Sequence, residues 1–253
     1  KPKKSRFFDF AVYLNTKSIR MGNYWRRLNR KQSPSYLVGI DEVGRGPLAG
    51  PVTVAAVLVL RRFVPREPFR TPLRDSKRLS AVQRERWYKE IRRERRLAAA
   101  VSSVSARSID RWNVTEAANR AAESAVRKLF RSFPREMRDA SIFLDGGLFL
   151  KPRFLRSIGV RNGPVTLIRG DERVTAITLA SIVAKVTRDR YMVRLGERYP
   201  AYGFAVHKGY GTPQHFRALR VRGRCPAHRL TFCRRGLRRH IGETKTQPRT
   251  SRA

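Results

Sequence analysis

The chain has 253 residues, with 57 Lys and Arg against 19 Asp and Glu, a formal net charge of +38, and a hydrophobic share of 41%. That apolar share can fill a core, which excludes a simple disordered basic tail. No apolar run reaches the roughly 18 residues that a membrane span needs, which excludes a helical transmembrane protein. The charge points instead to a polyanionic partner, because such an excess concentrates phosphates and speeds their capture. Nucleic acid fits better than an anionic membrane surface, since no lipidation signal or bulky amphipathic basic segment is present. An Arg-rich host proteome is the bland alternative.

Residues 1–33 carry ten Lys or Arg and one acid, Asp9. Asp9 interrupts the apolar segment Phe7 to Leu14 and no small-residue cleavage site follows, which argues against a secretory signal. An Arg-rich, acid-poor start also fits an organellar transit peptide. Tyr36 to Asp41 reads as a short strand and Val52 to Leu60 as a longer one, with Gly44, Gly46, Pro47 and Gly50 forming a turn region between them. Ser80 with Gln83 is a capping box opening a basic helix from Ala81 to about Arg96. Residues 97–104 read as a third strand. Thr115 to Phe130 reads as a helix with Ala117, Ala121, Ala125 and Leu129 along one side. Ser141 to Leu144 and Val165 to Ile168 are short strands ending near Asp145 and Asp171. From Glu172 to about Gly196 the pattern is helical and apolar nearly all round through Val186, so that helix is expected to be buried. Residues 217–253 carry twelve Lys or Arg and one acid. Both ends read as solvated or nucleic-acid-facing arms. The expected division is a basic extension at 1–34, a catalytic domain with a C-terminal helical element at 35–242, and a basic disordered tail at 243–253. Strands alternating with helices give an α/β fold, a mixed sheet flanked by helices.

With so few acids in so basic a chain, their positions carry information. Asp41 and Glu42 end the first strand, Asp145 ends a later one, and Asp171 ends another at the start of the buried helix. Ligand sites on such sheets collect at strand ends. Four carboxylates gathered there would repel one another and take up protons unless a cation held them. All-oxygen ligands favour Mg2+ or Mn2+ over zinc. Two such ions, roughly 4 Å apart, would suit in-line attack on a phosphodiester. Each acid alone reads equally well as a cap or a surface charge, and Asp171 would suit a helix N-terminus in any case. Neighbours in a strand also point to opposite faces, so Asp41 and Glu42 cannot both face one metal in ideal geometry, but Gly44 suggests that the strand is already breaking there, which would let Glu42 swing in.

Cys225 and Cys233 lie near His228 and His240, but C-x2-H-x4-C-x6-H matches none of the usual zinc patterns. Two ordinary thiols in a reducing cytosol are the expectation. His207, His215 and His228 are expected in structural or phosphate-contact roles.

The run Val38-Gly39-Ile40-Asp41-Glu42-Val43-Gly44-Arg45-Gly46-Pro47-Leu48-Ala49-Gly50-Pro51-Val52 closely resembles the signature of ribonuclease HII. Matching blocks follow in order: Asp75 to Ser80, Leu144-Asp145-Gly146, Gly170-Asp171, Ala180 to Asp189, Tyr202-Gly203-Phe204, and His207 to Thr212. The blocks span roughly residues 36–232. His228, Arg229, Thr231 and Phe232 resemble the family's His-Arg-x-Ser-Phe element, which accounts for His228 without zinc.

The resemblance implies a ribonuclease H-like mixed five-stranded sheet. It implies Asp41, Glu42, Asp145 and Asp171 as catalytic metal ligands for Mg2+ or Mn2+, with Asp41 bridging two ions. Gly44, Arg45 and Gly46 match the element that recognises the ribose 2′-OH, the group that tells RNA from DNA. That triplet separates the chain from the related ribonuclease HIII type. Tyr210 matches a junction-sensing tyrosine and Lys77 a phosphate contact; Lys185 is read as structural or phosphate-facing. The implied activity is cutting the RNA strand of RNA–DNA hybrids and nicking DNA 5′ of embedded ribonucleotides, in ribonucleotide excision and primer removal. Ends would be 3′-hydroxyl and 5′-phosphate. A cytoplasmic monomer acting on hybrid and on ribonucleotide-containing duplex is expected. The chain departs from the family in Gly147 after Gly146 and in its unusually basic arms. The alternatives are a non-catalytic nucleic-acid-binding protein on the same scaffold, or a stable component of a ribonucleoprotein.

Overall fold

The computed structural model describes residues 35–61, 63, 79–160, 163–234 and 236. Lys77, His240 and residues 1–34 and 237–253 lie outside the described residues; the stretch 217–234, expected as a solvated arm, is instead folded, with Leu219, His228, Arg229 and Cys233 buried. Five strands form one sheet: β1 (Tyr36–Val43), β2 (Val52–Leu60), β3 (Leu97–Val104), β4 (Ala140–Asp145) and β5 (Val165–Leu167), in the order β3-β2-β1-β4-β5. β1 pairs antiparallel with β2 and parallel with β4; β2 and β3 pair antiparallel, β4 and β5 parallel. The sheet is mixed and five-stranded, as the sequence implies.

The helices are α1 (Ala81–Arg93), α2 (Ala106–Trp112), α3 (Val114–Ser132), α4 (Pro134–Arg138), α5 (Pro152–Ser157), α6 (Thr175–Arg198), α7 (Phe204–His207) and α8 (Pro213–Arg222). The capping box at Ser80 and Gln83 is formed, and α1 ends three residues earlier than the pattern suggests. β1 pleats its side chains onto two cores. Val38 and Ile40 pack with the alanine face of α3, including Ala117, Ala121 and Ala125. Leu37 packs on the other side with Ala176 and Ile177 of α6. Gly39 shares that side, and a Cβ there would lie 2.0 Å from the Ala176 carbonyl carbon. The glycine therefore lets α6 lie directly on the central strand, which fixes the start of α6 beside the carboxyl ends of β1 and β4.

α6 is buried along most of its length, as its apolar sequence suggests. It starts at Thr175, not at Glu172. A 3-10 turn, Gly170–Glu172, precedes it, and the N-cap is Val174, with no side-chain cap bond. Asp171 is therefore not the helix cap.

Beyond α6, the C-terminal element folds back onto the loop between β1 and β2. Leu48 and Ala49 share a buried cluster with Met192, Tyr202, Phe204, Leu219 and Cys233. No helix among the described residues is long and apolar enough to cross a membrane.

Candidate active site

Asp41 faces α6. Its register partner on β2 is Ala55, which belongs to the α6-side core, whereas Glu42 pairs with Val54 of the α3-side core. β1 does end at Gly44, whose φ is 89°, but Glu42 stays in register with Val54, so the break does not turn it onto the face of Asp41. Both acids nevertheless lie near Asp145, whose charge raises each of them. The last β1–β4 pair is Ile40 with Leu144, so Asp41 and Asp145 are the next step on both strands. Asp145 Oδ1 accepts the Gly170 N–H at 2.6 Å, which ties the end of β4 to the turn carrying Asp171.

The electrostatics record the crowding. Asp41 is 5% exposed, and burial pushes its carboxyl well above the usual range, aided by the negative charges of Glu42 and Asp145. A Ser181 hydrogen bond and the Glu42 N–H, 2.7 Å from Asp41 Oδ1, pull the other way without cancelling it. Burial also raises Glu42, opposed by Arg45, with Asp145 adding to the rise. Asp171 is 2% exposed. Uncompensated, this group of acids is an unfavourable arrangement in a fold.

The donor set fits a hard divalent cation. Glu42 Oε2 is buried and, among the described residues, has no hydrogen-bond partner. A buried carboxylate oxygen left in that state is costly unless a cation meets it. No three His, Cys, Asp or Glu side chains among the described residues stand in a closed ligating cluster.

Arg45 spans the site's edge. Its guanidinium lies 3.3 Å from Glu42 Oε1, 3.0 Å from Thr115 Oγ1 at the start of α3, and 3.4 Å from the Gly147 carbonyl. Gly46 is exposed and Tyr210, 43% exposed, stands beside it. Lys185 pairs with Asp189 at 2.9 Å, one turn along α6.

Two buried arginines lie in the family-like segments, and their role is not legible from the sequence pattern. Arg188 and Arg229 are both 0% exposed and donate to carbonyls of the β1–β2 loop. The signal was present in part: Arg188 falls within a helix read as buried. His207, His215 and His228 form a buried stack behind that loop, His215 and His228 joined through their Nε2 atoms at 3.0 Å. Cys225 Sγ contacts His228 Nδ1 at 3.2 Å and Cys233 is buried against the Leu48 carbonyl. These histidines are core residues.

Residues 38–235 match the family profile of Ribonuclease HII. The Ribonuclease HII of Bacillus cytotoxicus is 42% identical over 214 residues, covering 85% of this chain and 74% of the relative. The ribonuclease HII in the PCNA complex from Archaeoglobus fulgidus matches with a TM-score of 0.57 at 25% identity, over 76% of this chain and 93% of that one. A Bst ribonuclease HIII solved in complex with Mn2+ shares the fold, with a TM-score of 0.55 at 23% identity over 82% of this chain and 71% of that one.

Proposed function

The chain belongs to the ribonuclease HII family, and from that membership and the acids at the ends of β1 and β4 we propose a metal-dependent endonuclease that nicks DNA 5′ of embedded ribonucleotides. It also cuts the RNA strand of RNA–DNA hybrids, leaving 3′-hydroxyl and 5′-phosphate ends, and serves ribonucleotide excision and primer removal. It works as a cytoplasmic monomer.

The observation that carries the reading is buried Asp41 and half-buried Glu42, both raised by burial and by the charge of Asp145, with a Glu42 oxygen that no hydrogen bond meets among the described residues. Asp41, Glu42, Asp145 and Asp171 would hold Mg2+ or Mn2+. When bound, two such ions supply an activated water and charge stabilisation for the leaving oxygen. The chain's own residues do the rest. Ser181 and the Glu42 N–H orient the Asp41 carboxylate, and the Gly170 N–H orients that of Asp145. Gly44 and Gly46 let backbone approach the ribose without an intervening side chain, and Tyr210 packs on the sugar or base at the junction. Arg45, hydrogen-bonded to Glu42 at the edge of the acids, completes with Gly44 and Gly46 the element that recognises the ribose 2′-OH. The basic arms and Lys77 add phosphate contacts that carry non-specific affinity.

Three duplexes test the specificity: one with a single ribonucleotide, a continuous RNA–DNA hybrid, and an all-DNA control. A nick on the 5′ side of the ribonucleotide, with the DNA control intact, supports the proposal. Cutting of the continuous hybrid alone would remove the junction role from Arg45 and Tyr210. Tight binding without cleavage under either metal would favour a non-catalytic binding protein.

A further inference from the structure

Arg188 and Arg229 together bind five backbone carbonyls of the β1–β2 loop and a sixth, that of Lys208, in the loop before Tyr210. Arg229 donates to the carbonyls of Gly44 at 2.6 Å, Arg45 at 2.9 Å and Gly50 at 3.0 Å. Arg188 donates to those of Pro51 at 2.9 Å, Ala49 at 3.2 Å and Lys208 at 3.0 Å. Neither guanidinium has any solvent exposure. A planar fork of five donors suits this work, because each arginine can serve three acceptors at fixed angles.

The same contacts join two loops that are far apart in sequence. Lys208 adopts a left-handed conformation with φ of 52°, which is uncommon for a residue with a side chain, and Gly209 follows with φ of 85°. The Arg188 bond to the Lys208 carbonyl holds that turn, two residues before Tyr210. Backbone bonds complete the tie: Leu48 N–H to the Gly209 carbonyl at 2.8 Å, Gly50 N–H to the Ala227 carbonyl at 2.9 Å, and Arg229 N–H to the Leu48 carbonyl at 2.8 Å. Gly44 is also required by this packing, since a Cβ there would meet Arg188 Nε at 2.2 Å.

We infer that Arg229 and Arg188 are positioning residues that lock the Gly44–Gly46 segment and the Tyr210 loop into one rigid reader of the ribonucleotide. This rests on the proposed 2′-OH role of those segments. With the carbonyls committed to buried guanidinium groups, the loop cannot flip its peptides to present acceptors at the sugar, and Tyr210 is held at a fixed distance from Gly46. Neither arginine touches substrate. Burial pushes the Arg229 guanidinium down to about 9, so it is still charged at neutral pH.

The test compares wild type with Arg229→Lys and Arg188→Lys, which retain a charge but lose the fork. Two readouts are taken: amide hydrogen exchange across residues 44–50 and 208–211, and kcat and KM on the single-ribonucleotide duplex and the continuous hybrid. Melting curves control for folding, and the second variant serves if the first does not fold. The expected result is at least tenfold faster exchange in both loops. KM should rise on the single-ribonucleotide duplex at least tenfold more than on the hybrid, which offers many 2′-OH groups and registers. Unchanged exchange, or equal kcat losses on both substrates that track the melting temperature, would overturn the positioning role. A wild-type enzyme that does not cut at the single ribonucleotide would overturn the underlying reading, and would be seen before any arginine is changed.

Discussion

Tyr210 stands beside Gly46, close enough that a Cβ built on the glycine would meet the ring at 3.9 Å. The contact crosses from the β1–β2 loop to the C-terminal element and leaves the ring 43% exposed. An exposed aromatic surface next to a bare backbone can pack on a nucleotide approaching the glycine. Stacking of this kind is worth about 1–3 kcal/mol per base. Tyr210→Ala should therefore lower kcat/KM at a single ribonucleotide by roughly 5- to 150-fold, with the melting temperature little changed. Steady-state kinetics on the single-ribonucleotide duplex check this.

Asp41 should weaken the metal-free fold at neutral pH. Its folded carboxyl is raised above its unfolded value by burial and by Glu42 and Asp145. The folded state thus keeps its proton to higher pH than the unfolded state, and this contribution to stability declines as pH rises from the ordinary carboxylate range through the raised value. Asp41→Asn removes the buried charge. Without divalent ions the variant should melt above wild type at pH 7; Mg2+ or Mn2+ should raise the wild-type melting temperature and leave the variant nearly unmoved. Differential scanning calorimetry with and without chelator measures both.

The histidine stack gives the opposite pH dependence. Burial pushes His215 and His228 down to about 4 and lowers His207 as well. Groups held neutral in the fold but protonated when unfolded make stability fall as pH drops from about 6.5 towards 4. Each contributes a slope of up to about 1.4 kcal/mol per pH unit in that window. Urea denaturation at pH 7, 6, 5 and 4 should show the loss, and His215→Gln should make the acid limb shallower by about one proton.

Gly39→Ala tests how the site is built. The added methyl would collide with the Ala176 and Ile177 backbone, so either α6 lifts from β1 or the strand distorts. Overpacking of this kind costs about 1–3 kcal/mol or more. Because α6 is preceded by the turn carrying Asp171, activity should fall with stability. Chemical denaturation and cleavage rate measured on the same variant decide it.

The sheet, its mixed direction and the buried α6 were legible because β1, β2 and α6 carry strong apolar patterns. Asp41, Glu42 and Asp145 were legible as acids at strand ends, but Asp171, read as ending a strand, lies beyond β5 in the 3-10 turn Gly170–Glu172. Local pattern could not show that β1 continues through Val43, since Glu42 is held there by pairing with Val54 on a distant strand. Nor could it show Arg188 and Arg229 as loop anchors. Their partners lie 137 to 185 residues away for every bond but the one to Lys208, and a buried arginine reads in sequence as one more charge among 57 Lys and Arg. The start of α6 was misplaced because Asp171 looks like a cap, whereas its fold position is the turn tied to Asp145 through Gly170.

The most direct measurement is nicking of a duplex with one ribonucleotide by wild type in Mg2+ or Mn2+, by wild type with chelator, and by Asp41→Asn. Binding is followed in parallel. A nick 5′ of the ribonucleotide is expected in the first case only. Asp41→Asn should still bind the duplex, because phosphate contacts carry most of the affinity. Undiminished turnover in the chelated enzyme, or in Asp41→Asn, would contradict a metal site built on Asp41.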